Sequence, residues 1–555
     1  MNRRSFIQAS AITGAGLLFS RLTFAVANQK NLMNRPDEVW VLAENKWVSL
    51  TPHSDMLYSY QDIIVHLKQE GDAWAVYVAS PVKTLSMVKL TWKHHIGNGT
   101  LVLGDHWERS YGDLGWKVPM DGRKYPWYVL LYDGQSTACF GVKTGCKSIC
   151  SWAIGNQTLS LTMDVSSAGG DVQLGQRLLK AAEIVVTKNT GDETAFVTGQ
   201  RFCTMMCQAP RLTKQPVYGI NDWYYAYGNN SSALIKTQAS LMTGLATDTN
   251  NRPFSVIDAG WAAYAPSLPN DCCWQDDFSR PNEKFKDMAV MADDLKKLGM
   301  RPGLWTRALC ASYTTPKNLL LPSIPGRDDP QRPILDPTID ENIEHVKHNI
   351  SLYKQWGYEM VKHDFSTYDI TGKWGFDMQP GFTSPGWSFN NKTVTTAEVI
   401  GNLYQAIREA AGDMYIIGCN TLSHLSAGLF ELNRIGDDTS GKEWARTRKM
   451  GVNTLAFRGI QNKTFYATDG DCVGLTKDVP WSKNKQWMQL LAGSGSPLFI
   501  SAQPDALGEE QKAFITQCFA AAAKEQPTGE PLDWQINSLP RKWKLNGEVV
   551  KFDWS

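Results

Sequence analysis

The 555-residue chain has no excess of charge of either sign, no recognisable spacing of metal ligands and, beyond its first residues, no long apolar run. Its 56 basic and 55 acidic residues balance, and no basic stretch stands out, so nucleic acid is not an expected partner. Neither a CxxC pair nor an HExxH spacing occurs, which argues against a zinc site. The sequence therefore does not point to a nucleic-acid-binding, zinc-dependent or integral membrane protein.

The first residues, in contrast, have the organisation of an export signal. Arg3 and Arg4 precede an apolar stretch, and Ala25-Val26-Ala27 provides small residues at a cleavage site. We expect residues 1–27 to be a signal peptide and the protein to be exported, to the periplasm or the medium. The paired arginines resemble the twin-arginine type, although two arginines also occur in ordinary signals.

The 11 cysteines are dispersed, and their odd number leaves at least one thiol free. Cys203 with Cys207, and the adjacent Cys272 and Cys273, could form bridges in an oxidising compartment. The alternative, which we favour for most of them, is that they are small buried apolar residues.

Tryptophan is abundant, with 21 residues. Its flat apolar surface and single donor suit the apolar faces of sugar rings, although most tryptophans in any protein belong to the core. Trp223, Trp261 and Trp305 stand at or near the ends of predicted strands and are candidates for binding a sugar.

The pattern of apolar, polar and turn residues divides the chain after the signal peptide into three parts. Residues 28–212 contain short alternating segments separated by turn residues, which predicts an antiparallel β-sandwich. Residues 213–525 alternate strand-like runs with amphipathic helices, which predicts a (β/α)₈ TIM barrel. A doubly wound open sheet is the alternative, but no GxGxxG turn follows a strand. Residues 526–555 return to short strands and predict a small β appendage. The eight predicted barrel strands are Tyr218–Trp223, Phe254–Trp261, Met300–Thr306, Tyr358–Phe365, Met414–Asn420, Leu432–Asp438, Thr464–Thr468 and Pro497–Ser501.

Two of these predicted strands end in carboxylates that follow basic residues. In GYEMVKHDF, Lys362 lies two positions before Asp364, so both side chains would face the same side of a strand and the lysine would keep Asp364 ionised. In LNRIGDDT, Arg434 precedes Asp437 and Asp438, and strand alternation favours Asp438 as the residue that faces the site. An ionised carboxylate beside one that can hold a proton is what a retaining glycoside hydrolase needs.

Other strand ends supply further polar and aromatic side chains. In a TIM barrel these ends meet at one face, where active sites lie. The candidates for binding a substrate are Trp223, Asp258, Trp261, Trp305, Lys362, Cys419 and Arg434. For Cys419 a buried thiol is an equally good interpretation. Asp469 and Asp471, in the turn sequence DGD, are interpreted as structural.

The chain resembles the α-galactosidase clan of (β/α)₈ glycoside hydrolases, most closely family 36, with family 27 next. The resemblance rests on DAGW, GLWT, VKHDF, RIGDDT, TDGDC and SPLFIS, which run in the family's order, and on the preceding β-sandwich. It implies that Asp364 is the nucleophile and Asp438 the general acid/base of a double displacement. Asp258, Lys362, Arg434 and Trp305 would bind the sugar. No cofactor or metal is implied.

One residue departs from the family's pattern. Most members have two consecutive aspartates in the second-strand motif, which hold the 4- and 6-hydroxyls of galactose, but here the second is Ala259. The expected substrate is an oligosaccharide or polysaccharide with a terminal α-galactosyl-like sugar; β-L-arabinopyranose or a substituted galactose are alternatives. A galactosyl transferase and a non-catalytic sugar-binding protein are more remote alternatives. The resemblance also allows a homo-oligomer.

Overall fold

The computed structural model describes residues 34–54, 56–155, 157–264, 275–327 and 332–555. The predicted signal peptide, residues 1–27, and the pair Cys272 and Cys273 lie outside these ranges. The nine described cysteines, including Cys203 and Cys207, are free and buried, so they behave as small core residues. None of the described helices has the length and apolar character that a membrane crossing requires.

The N-terminal part forms two antiparallel sheets, as the alternating pattern predicts. In AWAVYVAS, for example, most alternate side chains are buried, because successive side chains of a strand point to opposite faces. Its strands are β1 Glu38–Ala43, β2 Lys46–Ser49, β3 Thr51–Pro52, β4 Leu57–Tyr60, β5 Ile63–Glu70, β6 Ala73–Ser80, β7 Leu85–Lys93, β8 Leu101–Gly104, β9 Tyr125–Pro126, β10 Tyr128–Tyr132, β11 Thr137–Val142, β12 Ile149–Gly155, β13 Thr158–Asp164 and β14 Gly175–Lys188. One sheet has the order β2-β1-β7-β13-β12-β9 and the other β3-β4-β5-β6-β14-β11-β10-β8.

A helix that the sequence did not reveal follows these sheets. Helix α1, Ala195–Met206, begins at Thr194, whose side chain accepts from the amide of Val197. It packs on β11, β14 and the turn Gly459–Gln461 of the next domain. Residues 28–212 therefore end in a helix that joins the N-terminal sheets to the rest of the molecule.

The second domain is built on one curled parallel sheet of TIM-barrel-like architecture. Its segments, with one small hairpin, are β15 Tyr218–Asn221, β16 Phe254–Ile257, β17 Ala262–Ala263, β18 Asp277–Pro281, β19 Arg301–Thr306, β20 Met360–His363, β21 Tyr415–Gly418, β22 Leu432–Arg434, β23 Ala467–Asp469, β24 Cys472–Leu475 and β25 Leu498–Ala502. The order is β23-β22-β21-β20-β19-β16-β15-β25-β24, and β17 pairs with β18 in a separate two-stranded sheet. Because only Gly470 and Asp471 separate the two edge strands β23 and β24, they correspond to one interrupted seventh strand.

Helices connect the strands of this sheet. They are α2 Trp223–Ala226, α3 Ser232–Thr243, α4 Met288–Lys297, α5 Asp340–Gln355, α6 Ser366–Thr371, α7 Thr396–Ala411, α8 Ser423–Ser426, α9 Trp444–Thr447, α10 Thr454–Arg458, α11 Trp481–Gly493 and α12 Glu509–Ala522. Several start where the local chemistry favours it. Asp287 accepts from two amides at the start of α4, and Thr395 with Glu398 forms a capping box on α7.

The last residues form a small sheet, as the sequence predicts. Strands β26 Glu530–Pro531, β27 Lys542–Leu545 and β28 Glu548–Lys551 pair in that order. Trp543 and Trp554 are buried there, so this segment is packed against the rest of the molecule rather than extended from it.

Five of the eight predicted barrel strands extend further at their carboxyl ends than the observed strands do. Asp258 and Asp364 follow the last residues of β16 and β20, and Asp438 lies four positions after β22. The alternation argument that separated Asp437 from Asp438 does not apply, because the strand has already ended. Both aspartates face the same cavity.

Candidate active site

A cavity of about 600 Å³ lies at the carboxyl ends of the parallel strands. Asp258, Lys362, Asp364 and Asp438 line it, so the structure brings together both predicted catalytic residues and two predicted binding residues. Its other walls are mostly aromatic, which suits a ligand with both apolar faces and hydroxyl groups.

Asp364 is fixed by three donors. One oxygen accepts from the amides of Phe365 and Asn420, at 2.8 and 3.0 Å, and the other accepts from the indole of Trp305 at 3.1 Å. Burial raises the pKa of this carboxyl, but the charges of Arg109 and Lys362 outweigh burial and hold the pKa below its usual value. Asp364 is therefore an oriented, ionised carboxylate.

The spacing of Lys362 and Asp364 had suggested that the two side chains interact, but they do not form an ion pair. The Lys362 ammonium instead bonds Asp258 at 2.6 Å, and Asn221 donates to the same oxygen at 2.7 Å. Behind this pair the amide of Asp258 donates to Asp222, whose pKa is raised to about 7 by burial and by the neighbouring Asp258 charge. Lys362 acts on Asp364 through its charge, at longer range.

Asp438 stands among cations. Arg434 bonds it at 2.7 Å and Arg109 lies 3.7 Å away. Burial raises the pKa of Asp438, yet the charges of Arg434, Arg109, Lys362 and Arg446 together lower it. A general acid must hold a proton before it acts, whereas in the free protein the positive neighbours of Asp438 favour its charged form.

Asp437 has a different set of partners. Arg109 bonds one of its oxygens at 2.9 Å and Arg446 the other at 2.7 Å. Its side chain is 15% exposed, against 36% for Asp438. Asp437 is thus held between two guanidinium groups, whereas Asp438 presents more of its carboxylate to the cavity.

The remaining predicted binding residues fall into two groups. Trp223 and Trp305 line the cavity. Trp261 is fully buried and donates its indole N–H to the carbonyl of Trp305 at 2.9 Å, so it supports Trp305 from behind. Cys419 and Arg434 are also buried below the cavity surface. Arg434 bonds Asp438 and Asp471 at 2.7 and 2.6 Å, which gives Asp471 the structural position expected of it.

Sequence reasoning missed a contribution from the N-terminal domain. Arg109 and Tyr111 line the cavity, and Glu108 accepts from the amide of Gly375 at 2.7 Å and from the side chain of Asn420. The amide of Ser110 donates to the carbonyl of Ile435 at 2.8 Å. The only signal for this role was the charged stretch DHWERSY, which breaks the alternation of the surrounding strands.

The segment that follows β20, which includes helix α6, supplies aromatic side chains that were also missed. Phe365, Tyr368, Trp374 and Phe376 line the cavity together with Arg307. The Tyr368 and Trp374 rings are stacked with their centroids 4.4 Å apart, and the Arg307 guanidinium lies 4.3 Å from the Phe365 centroid. In the described part of the chain no group of three or more His, Cys, Asp or Glu side chains could hold a metal ion.

No protein-family model and no curated protein sequence matches this chain. Solved structures do. The α-galactosidase TtGalA from Thermus thermophilus, in complex with p-nitrophenyl α-D-galactopyranoside, superposes with a TM-score of 0.59 at 16% identity, over 93% of this chain and 99% of that chain. The GH36 α-galactosidase AgaA from Geobacillus stearothermophilus gives 0.56 at 14%, over 88% and 76%. The α-galactosidase from Lactobacillus brevis gives 0.57 at 11%, over 91% and 70%. At these identities the likeness shows a shared fold.

Proposed function

We propose that this protein is a retaining glycoside hydrolase of the α-galactosidase type. The observation that carries the proposal is the placement of Asp364 and Asp438 on one cavity, the first fixed by three donors and the second more exposed. The shared fold with α-galactosidases and the sequence motifs support the same activity.

The residues would act in a double displacement. In the first step an oxygen of Asp364 attacks the anomeric carbon, the bond from that carbon to the glycosidic oxygen breaks, and Asp438 gives its proton to the leaving oxygen. In the second step Asp438 takes a proton from water, the water oxygen attacks the anomeric carbon, and the bond to Asp364 breaks. Two inversions return the original configuration.

The other polar groups would hold the sugar. Asp258 and Lys362 form an ion pair and line the cavity. The hydrogen-bonding capacity that each has left can be used by hydroxyl groups of the sugar ring. Trp305 lines the cavity while its indole N–H holds Asp364, and its ring offers an apolar face. The proposed mechanism uses side chains and water and requires no cofactor.

The test is hydrolysis of aryl glycosides by the purified protein and by Asp364→Ala. The panel contains the α-D-galactopyranoside, the β-L-arabinopyranoside and the α-N-acetylgalactosaminide. We expect turnover of at least one glycoside, an α-configured first product for a galactoside by NMR, and loss of turnover in the variant. Equal activity in Asp364→Ala would contradict the mechanism, and an inverted product would contradict retention.

Ala259 decides between the candidate sugars. It lines the cavity beside Asp258 and offers no hydrogen bond from its side chain. A site that lacks a polar partner loses discrimination for the corresponding hydroxyl. Preference for the arabinoside would link Ala259 to the absent 6-hydroxymethyl group. Preference for the galactoside would show that the remaining Asp258 and Lys362 suffice.

We also propose that the protein is exported. The support is the arrangement of basic, apolar and small residues in positions 1–27. Expression in a host with both export routes, followed by N-terminal sequencing, should give a mature chain that starts at Asn28. Arg3→Lys with Arg4→Lys should block processing if the twin-arginine route is used. An unprocessed chain confined to the cytoplasm would refute export.

A further inference from the structure

Two buried thiols meet at one backbone carbonyl where the chain turns from β11 into β12. The Cys146 S–H donates to the carbonyl oxygen of Ser148 at 3.3 Å, and the Cys150 S–H donates to the same oxygen at 3.7 Å. The hydroxyl of Ser148 also lies 3.3 Å from the Cys150 sulfur. Burial, and after it the neighbouring Cys146 thiol, raises the pKa of Cys150. The two thiols are therefore neighbours that share one acceptor.

Only a small change separates this arrangement from a disulfide. Thiols are weak donors, so little is lost when the two S–H···O contacts are given up for one S–S bond of about 2 Å. Cys150 is fully buried, whereas Cys146 is 9% exposed and lies between the exposed residues Gly145 and Lys147. A soluble oxidant would therefore reach Cys146 first, and Cys150 would complete the bridge.

The turn that contains Cys146 also holds the N-terminal sheets against the barrel. The carbonyl of Lys147 accepts from the hydroxyl of Thr395 at 2.7 Å, and Thr395 is the N-cap of helix α7. The amide of Gly145 donates to the carbonyl of His424 in helix α8 at 3.3 Å. Both contacts depend on the backbone of the residues on either side of Cys146. A bridge from Cys146 to β12 would fix this backbone.

We propose that Cys146 and Cys150 form a disulfide under oxidising conditions, and that this bridge braces the turn by which the N-terminal sheets contact the barrel. The proposed export would place the chain in such a compartment. The inference concerns a modification of the N-terminal domain and does not depend on which glycoside, if any, the protein hydrolyses.

The oxidant is itself a disulfide, and the reaction is two successive thiol–disulfide exchanges. The Cys146 thiolate attacks one sulfur of the oxidant, whose S–S bond breaks, and the other sulfur leaves as a thiolate. The Cys150 thiolate then attacks the Cys146 sulfur, the bond between Cys146 and the oxidant breaks, and a second thiolate leaves. The two protein thiols lose two electrons, and the two leaving thiolates take up the two protons.

Peptide mapping tests the bridge directly. Trypsin cleaves after Lys143, Lys147 and Arg177, so residues 144–147 and 148–177 form two peptides with one cysteine each. The purified full chain is incubated with glutathione disulfide until its thiol count is constant, unfolded with an alkylating reagent and digested without reductant. We expect the two peptides as one linked species, which dithiothreitol separates. Two alkylated peptides, or a link from either of them to another cysteine, would overturn the proposal.

Thermal unfolding tests the brace. The melting temperature of the oxidised chain should exceed that of the reduced chain by about 2–5 °C. Cys146→Ser should abolish the difference. Cys518→Ser, at a buried cysteine of helix α12, is the matched control and should retain it. A linked chain that melts with the reduced chain would overturn the bracing role. Neither readout uses glycoside turnover, so failure of the proposed function would leave both results interpretable.

Discussion

Asp364 and Asp438 both have pKa values below the usual carboxyl range in the free protein, each raised by burial and lowered more strongly by neighbouring cations. Asp438 must carry a proton to assist departure of a sugar. As pH rises through its lowered pKa that proton is lost, while as pH falls through the lowered pKa of Asp364 the nucleophile is lost. Because the two carboxyls interact, the apparent pKa values of the rising and falling limbs of the pH–rate profile belong to the pair and not to either residue alone.

We therefore predict an acidic optimum of kcat/KM for an oligosaccharide, with activity that falls as pH rises toward neutrality. The measurement is a pH profile for stachyose beside that for α-D-galactopyranosyl fluoride, which needs no protonation to leave. Asp438→Asn should cost the oligosaccharide about 10²-fold or more and remove the upper limb, with a far smaller loss for the fluoride. An optimum above neutrality in the wild type would show that the cations do not control Asp438.

We predict that His363, the neighbour of Asp364, makes the stability of the protein depend on pH. It is fully buried beside Tyr404 and Phe430, and no described residue bonds either ring nitrogen. Burial lowers its pKa to about 4, below the unfolded value of about 6.5. The folded state then binds fewer protons than the unfolded state between these values, so stability is full above about pH 6.5 and is lost as pH falls toward 4.

The expected contribution of His363 is about 3 kcal/mol across that interval. Melting temperatures at about pH 7.5 and about pH 5 should differ less for His363→Phe, which fills the site with a ring that does not titrate. His95→Phe, at an exposed position, is the control. An unchanged difference in His363→Phe would mean that other groups, His424 among them with its pKa also near 4, account for acid instability.

At the scale of elements, the segment 105–111 places side chains of one domain in the site of the other. Arg109 pairs with Asp437 and approaches Asp438, whereas Arg446 pairs with Asp437 from the outside and is 39% exposed. Loss of Arg109 removes a cation that lowers the pKa values of both catalytic carboxyls. The two arginines offer a matched comparison, because they share one partner.

Arg109→Met should lower kcat/KM at least tenfold near the optimum and move both limbs of the profile to higher pH, since each carboxyl loses a stabilising charge. Arg109→Lys should recover part of the shift. Arg446→Met should move the profile much less, because an exposed pair is worth about 1 kcal/mol or less. If Arg109→Met reduces stability but does not shift either limb of the pH profile of kcat/KM, segment 105–111 acts only as a contact between the domains.

The same segment shows which parts of the structure were accessible from sequence. Alternation in strands and apolar stripes in helices depend on neighbours along the chain, so the antiparallel N-terminal sheets and the amphipathic helices before β19, β20 and β21 were predicted. Asp364 and Lys362 were found because their strand carries them to the cavity. Arg109 reaches Asp438 from 329 positions away, and nothing local encodes such a contact.

Contacts between the N-terminal sheets and the barrel make the whole molecule one structural unit. Arg458 and Asp105 pair at 2.7 Å with at most 1% of either side chain exposed. The ring of His424 stacks on Trp127 with centroids 4.8 Å apart and contacts the carbonyl of Val142 at 2.8 Å. Loss of the Asp105 carboxylate alone would leave the Arg458 charge buried and unpaired, at a cost of about 3–5 kcal/mol.

We predict that the full chain unfolds in one cooperative transition and that residues 213–555 expressed alone neither fold stably nor hydrolyse glycosides. Calorimetry of the full chain tests the first part, and circular dichroism with the aryl glycoside assay tests the second. Arg458→Met alone leaves the Asp105 charge buried and unpaired and should make unfolding less cooperative. Arg458→Met combined with Asp105→Leu replaces the pair by apolar groups and should restore a single cooperative transition. Two separated transitions, or an active isolated barrel, would mean that the N-terminal sheets rest on a barrel that is already complete. A single transition with an inactive barrel would instead place the N-terminal domain within the catalytic unit, as the positions of Arg109 and Tyr111 require.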